Sequence, residues 1–174
     1  MIFNNMLSLK IKKRDGELVS FNPQKIYNRI KKAAKNLNVN SDEIFIKVVT
    51  SLPTDGEITT KELDKLVYEI AASYTGSHHD YSRLASYIAI SSYHKETSPS
   101  FSETMFKLNE DGILNEEMVN IIQRYGADKI DAIIDHENDY NFDYFAWRSL
   151  QEMYLLKLSN GKVIERPQHM YMRV

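Results

Sequence analysis

The stretch Leu9-Lys10-Ile11-Lys12-Lys13-Arg14-Asp15-Gly16-Glu17-Leu18-Val19-Ser20-Phe21-Asn22-Pro23-Gln24-Lys25 carries the pattern from which the fold is read. Leu9 and Ile11 alternate with Lys10 and Lys12, as in a strand with one buried face. Residues 14–17 make a turn, in which Gly16 reaches positive φ at no steric cost. Residues 18–21 return, so residues 7–21 are predicted as a β-hairpin. The period then changes from two to that of a helix. Asn22 is a good N-cap, and Pro23 at the first helical position gives up an N–H that had no partner. Ile26, Ile30, Ala33 and Leu37 mark the buried stripe.

Further along, a second helix starts near Asn40, with Glu43 in capping-box position. It runs through Ile44, Val48 and Val49 to about Leu52, where Pro53-Thr54-Asp55-Gly56 breaks it. Thr59 and Glu62 form another capping box, and Leu63, Leu66, Val67, Ile70, Ala71 and Tyr74 keep helical spacing until Gly76. Asp80 is expected to cap a fourth helix, with Tyr81, Leu84, Ala85 and Ile88 inward, running to about Thr97. Pro99 punctuates the chain, and a boundary falls near residues 96–100. Helices are expected at about 100–109, 115–124, 127–134 and 142–154. Residues 155–165 read as a second small hairpin around Asn160-Gly161, a pair that favours primed turns. Arg166-Pro167-Gln168 opens one more helix. The fold class is therefore mainly α: a small N-terminal β-hairpin over a four-helix bundle, then a helical segment ending in a short β-hairpin. The expected domains are 1–97 and 98–174.

Composition narrows the chemistry. With 174 residues and 43% hydrophobic content, the chain can bury a sizeable core. It has no cysteine, which excludes disulfides, thiolate metal sites and thiol catalysis. No apolar run reaches 18 residues, so no membrane span is expected. The first five residues lack the basic and apolar segments of a secretion signal, which makes the cytoplasm the default compartment.

Net charge is −2 but unevenly spread. Residues 8–35 hold nine Lys or Arg against two acids, leaving 13 basic and 22 acidic residues elsewhere. A basic cluster in an acidic chain suits a local anion site better than a nucleic-acid surface, which would come with a basic domain. Lys12, Lys13 and Arg14 sit at the hairpin turn, beside a helix start that offers backbone N–H groups. Lys25 in the first helical turn faces the positive dipole end, a cost that an anionic ligand would offset. The plainer alternative is a solvated turn, and Lys31, Lys32 and Lys35 read as a solvated helix face.

The pattern Lys13-Arg14-Asp15-Gly16, then Phe21, then Lys25-Ile26, resembles the opening of the ATP-cone, a small regulatory nucleotide-binding domain. The resemblance continues through Glu57-Ile58-Thr59-Thr60-Lys61-Glu62-Leu63-Asp64, through Asp80-Tyr81-Ser82-Arg83-Leu84-Ala85, and to His94-Lys95-Glu96. Asp139-Tyr140-Asn141-Phe142, Tyr154-Leu155-Leu156-Lys157, Gly161-Lys162-Val163 and Glu165-Arg166-Pro167-Gln168-His169-Met170 are similar to the class I ribonucleotide reductase large subunit beyond its cone.

That resemblance implies ATP or dATP as the allosteric effector, with magnesium able to accompany the triphosphate. It implies that Lys13 and Arg14 meet the phosphates from the hairpin. By the same likeness Val19, Ser20, Phe21, Asn22, Pro23, Gln24 and Lys25 wrap the nucleotide, with Lys25 on phosphate. Thr60 touches it from the third helix. Asp64 lies near the sugar, where ATP and dATP differ, and Lys95 reaches the phosphates from the last helix. The function implied is a switch in which ATP keeps the reductase active and dATP shuts it down through subunit assembly, controlling reduction of ribonucleotides to deoxyribonucleotides for DNA synthesis.

The expected partners are the rest of the large subunit or a second chain carrying the catalytic barrel, the small radical-generating subunit, and further copies of the chain. No nucleic-acid or membrane partner is expected. The barrel itself is not in this sequence, whether by truncation or by a split gene, so no catalytic residue is expected, and Met170, Met172 and Val174 should be exposed or mobile. One alternative is a degenerate cone that only docks a catalytic chain. Another is a nucleic-acid-binding regulator, which would need a zinc ribbon or basic head that is not evident here. No metal site is expected. The adjacent His78 and His79 before Asp80 should point in different directions, and Asp135-His136-Glu137 with Asp139 reads as a polar loop.

Overall fold

The computed structural model describes residues 8–174. Leu7, where the expected hairpin opens, and residues 1–5 of the secretion-signal reading lie outside them. The chain divides between Ser92 and Tyr93 into two compact units. Among the described residues it is mainly helical with one small sheet.

In the first unit, β1 (Lys10–Lys12) pairs antiparallel with β2 (Leu18–Ser20), placing Lys10 opposite Ser20 and Ile11 opposite Val19. The turn is closed by Gly16 N–H to Lys13 O at 3.0 Å and Lys13 N–H to Glu17 O at 2.8 Å. Only Gly16, at φ 88°, is left-handed there, so this is a three-residue loop ending in a left-handed residue. A third strand, β3 (Glu57–Thr59), lies parallel to β1, with Ile58 beside Ile11. The sequence pattern predicts no strand there. Three residues with a single apolar side chain show no alternation, and the partner lies far away in sequence.

The first three helices of this unit start where their caps direct. For α1 (Pro23–Ala33), Asn22 accepts the Gln24 N–H at 3.0 Å, and Ile26, Ile30 and Ala33 are buried. The helix ends short of Leu37, because Asn36 turns left-handed at φ 65° and Leu37 is only half-buried. For α2 (Ser41–Ser51), Asn40 accepts the Glu43 N–H, and Ile44, Val48 and Val49 are buried. The capping box of α3 (Thr60–Ser73) is complete: Thr59 Oγ1 accepts the Glu62 N–H at 3.1 Å and Glu62 Oε2 accepts the Thr59 N–H at 2.8 Å. The hydrogen bonds from the Thr59 backbone and hydroxyl hold the Glu62 carboxyl below its ordinary value.

Asp80 is the first residue of α4 (Asp80–His94) rather than its cap. Its carboxylate instead accepts the Asn38 N–H at 2.7 Å, fastening the loop between α1 and α2. Tyr81, Leu84, Ala85 and Ile88 are buried as expected. The helix stops at His94, not Thr97, in a turn closed by Glu96 N–H to Tyr93 O.

In the second unit, α5 (Phe101–Glu110), α6 (Glu116–Tyr125) and α7 (Ala127–Asp131) enclose a core of Phe101, Met105, Leu108, Ile122, Ile130 and Ile164. Asp131 ends α7 three residues before the expected limit. Its carboxylate accepts the Ser102 N–H at 2.9 Å and the Ser100 hydroxyl at 2.6 Å, pinning the start of α5. The expected helix over 142–154 is α8 (Tyr144–Ser149) continued by a π-helical turn, Leu150–Tyr154. The second hairpin is a turn closed by a single antiparallel bridge, Lys157 to Val163. Only Gly161 there has positive φ, so the turn is not a primed one. The chain then enters α9 (Pro167–Arg173), along which Met170 is half-buried and Met172 exposed.

The segment expected as a polar loop is a 3-10 turn, His136–Asn141, and Asp139 within it is completely buried. Asp139 pairs with His94 Nε2 at 2.7 Å, stands 3.8 Å from His136 Nδ1, and accepts the Gln168 N–H at 3.2 Å. Burial alone would raise its carboxyl, but the imidazoles of His136 and His94 outweigh that and hold it below the ordinary value. Pro99 O faces His136 Nε2 at 2.8 Å and His169 Nε2 at 3.3 Å; a carbonyl only accepts, so both nitrogens carry protons. Burial pushes His169 down to about 4.

These shifts fix a pH dependence. Unfolded, the His169 imidazole takes a proton near 6.5; folded, it resists until about 4. The unfolded state therefore binds more protons between those values, and stability falls as pH drops through them, by up to about 3 kcal/mol. The depressed Asp139 carboxyl adds a loss of the same sign at still lower pH. Urea unfolding from pH 7 to 4 is expected to show the fall, and His169→Gln to flatten it; an equally steep variant profile would place the sensitivity elsewhere.

Candidate functional site

The hairpin, α1 and the start of α3 enclose an open cleft of about 180 Å³. Ile11, Ile26, Ile30, Leu63 and Val67 give it an apolar floor. Its polar rim comes from Lys13, Ser20, Asn22, Lys25, Arg29, Thr60 and Asp64. Local rules place each of these. Lys13 follows β1 at the loop, and β2 delivers Ser20 and Phe21, whose N–H bonds to Leu9 O at 3.1 Å. Asn22 is bound to its own helix as cap, and Lys25 sits in that helix's first turn. The parallel β1–β3 pairing brings the start of α3 alongside, where the Thr60 hydroxyl donates to Lys12 O at 3.2 Å.

The electrostatics of the cleft centre on Asp64, 3% exposed. Arg29 Nη1 meets Asp64 Oδ1 at 2.7 Å, and Arg14 Nη2 stands 3.6 Å from Asp64 Oδ2. Arg14 also donates to Ser92 Oγ at 3.0 Å. Lys13 is ion-paired with Glu17 across the hairpin loop, and that hydrogen bond raises its pKa. An anion entering the cleft meets Lys13 as an already charged group that must exchange one carboxylate for another acceptor.

Of the twelve residues singled out from sequence, Lys13, Val19, Ser20, Phe21, Asn22, Lys25, Thr60 and Asp64 line this one cleft. Arg14 borders it through Asp64. Pro23 and Gln24 belong to the first turn of α1 without lining it, and Gln24 bonds to Asn28. Lys95 falls in the second unit, just past α4. Sequence reasoning missed Arg29 and the apolar floor. The available signal was spacing: Arg29 lies one turn after Lys25 on the same face of α1.

Away from the cleft, His78 and His79 stack at 4.5 Å instead of diverging, and with Asp80 they bring three donor atoms within 4.8 Å of one another. Asp80 already accepts the Asn38 N–H there, and the Asp80 N–H is donated to His78 Nδ1.

A buried carboxylate held by a guanidinium is costly to unpair. A double-mutant cycle of Arg29→Met and Asp64→Asn is expected to return a coupling of about 2 kcal/mol in unfolding free energy. A coupling near zero would mean that the pair does not hold α1 to α3.

Comparison with known proteins gives two family matches. The ATP cone domain family matches residues 9–96, and the ribonucleotide reductase all-alpha domain family matches residues 140–174. The chain is 39% identical over 174 residues to the ribonucleoside-diphosphate reductase large subunit of Monkeypox virus, covering 93% of this chain and 22% of that protein. It is 38% identical over 179 residues to that of Caenorhabditis elegans, covering 96% and 22%. With that of Arabidopsis thaliana it shares 36% over 172 residues, covering 93% and 21%. The chain thus spans about a fifth of the length of the curated relatives it matches. It belongs to the ATP-cone family, and its residues 140–174 match the ribonucleotide reductase all-alpha domain.

Proposed function

We propose that the chain is the nucleotide-sensing part of a ribonucleoside-diphosphate reductase large subunit, and that ATP and dATP compete for its cleft as allosteric effectors. The observation that carries this reading is the gathering of Lys13, Lys25, Thr60 and Asp64 around one cleft beside the start of α1. A triphosphate needs cations held close together, and a helix start favours an anion through its dipole; Lys13 and Lys25 line the cleft beside the start of α1. Lys13, Arg14 and Lys25 take the phosphates. Residues 19–25 wrap the nucleotide, Thr60 contacts it, and Asp64 stands beside the sugar. Magnesium accompanies the triphosphate, held by phosphate rather than by protein.

The activity regulated is the reduction of ribonucleotides, an oxidoreductase reaction whose catalytic machinery lies elsewhere, since this segment has no cysteine. The partners are the remainder of the large subunit, in the same chain or another, the small radical-generating subunit, and further copies of the chain. The compartment is the cytoplasm.

ATP and dATP differ by one hydroxyl, and one hydrogen bond is worth about 0.5–1.5 kcal/mol net. The effector therefore supplies a modest bias, and the response must come from an assembly equilibrium poised between two states.

Calorimetry on the chain is expected to show micromolar or tighter binding of both nucleotides. Lys25→Ala is expected to weaken both by about tenfold, whereas Asp64→Asn changes the ATP/dATP ratio more than the shared affinity. Binding of neither nucleotide by the unaltered chain contradicts the sensing role, and equal loss of both in Asp64→Asn contradicts the sugar assignment.

A further inference from the structure

Outside the cleft, the first unit holds one group of side chains with the chemistry of a metal site. His78, His79 and Asp80, at the entry to α4, each bring one donor atom within 4.8 Å of the other two. Among the described residues no other three His, Asp or Glu side chains do so. Adjacent residues normally send their side chains apart, yet these two imidazoles stack at 4.5 Å with 29° between their planes. Both face the same carboxylate: His79 Nε2 stands 3.2 Å from Asp80 Oδ1, and His78 Nδ1 stands 3.7 Å from Asp80 Oδ2. Ligands at about 2.0–2.2 Å from a common ion lie roughly 3–3.5 Å from each other, so the spacing is close to that of a coordination shell.

The surroundings hold the donors in the form an ion needs. Asp80 is buried, and the Asn38 N–H occupies its Oδ2 at 2.7 Å, leaving Oδ1 toward His79. That hydrogen bond also holds the carboxyl below its ordinary value, and so ionised. His78 Nδ1 accepts the Asp80 N–H at 3.2 Å, so it carries a lone pair rather than a proton on the side facing Asp80. Its Nε2 meets the Asn38 side-chain amide at 3.4 Å, a contact of the kind that fixes tautomer and ring orientation behind a metal ligand. His79, whose side chain is 77% exposed, can turn to complete the set.

We propose that His78 Nδ1, His79 Nε2 and Asp80 Oδ1 bind one divalent transition-metal ion. The ion takes the His78 lone pair in place of the Asp80 N–H. Two imidazoles and one carboxylate select zinc, nickel or copper over magnesium or calcium, which prefer oxygen ligands. Three protein ligands leave the remaining positions to water, so the ion exchanges more readily than one in a closed four-ligand site. Because Asp80 is joined to Asn38, the bound ion fastens the start of α4 to the loop between α1 and α2. This site is independent of the nucleotide cleft.

The test is calorimetry of zinc chloride into the full chain without nucleotide, since a triphosphate would itself bind the ion. One zinc per chain at micromolar affinity is expected, with millimolar magnesium failing to compete. His79→Ala removes an exposed ligand and is expected to weaken zinc by at least about tenfold. An unaltered melting temperature in EDTA establishes that the variant is folded. Imidazole proton–nitrogen spectra of the unaltered chain give a reading that needs no variant: of the five histidines, zinc is expected to shift His78 and His79. Absence of zinc binding, equal affinity in folded His79→Ala, or shifts confined to His94, His136 and His169 would overturn the site.

Discussion

The first unit is organised around a carboxylate that has almost no water. Asp64 sits on the second turn of α3, and its charge is tolerable only because guanidinium groups from elsewhere come to meet it. Arg29 arrives from the second turn of α1 and Arg14 from the hairpin loop. One side chain thus holds three pieces of structure at a common point. The cleft is the space left between them, floored by the isoleucines of β1 and α1 and by Leu63 and Val67 of α3.

The sheet serves the same end. A hairpin of two three-residue strands is marginal alone. Parallel addition of β3 to β1 gives it a third strand and leads directly into the capping box of α3. The register that sets Lys12 beside Thr59 also sets the Thr60 hydroxyl on Lys12 O. In the proposed reading a change of nucleotide at the rim acts first on the hairpin, which borders the cleft and meets α3 through this polar contact.

What was legible in the sequence was what local rules govern. Asn22-Pro23, Asn40 with Glu43, and Thr59 with Glu62 each announced a helix start that the structure places within a residue. The positive φ of Gly16 and the apolar stripes of α1, α3 and α4 were readable for the same reason. Non-local choices were not readable. Strand β3 exists only because β1 offers an edge, and Asp80 abandoned its cap for an N–H in a distant loop. Arg29 looked like one more cation on a basic helix, since nothing nearby shows that Asp64 lies across from it. Asp139 looked like a loop acid because its partners include His94 and the Gln168 N–H, far away in sequence. The family resemblance pointed to the cleft residues, but the charge pairing inside the cleft became visible only in three dimensions.

The most direct test of the account is to map bound ATP on the whole chain by amide chemical shifts. The account predicts saturable changes concentrated at residues 13–14, 19–25, 29 and 60–64, the segments that border the cleft. Saturable changes confined to other segments, with these amides unmoved, would contradict it.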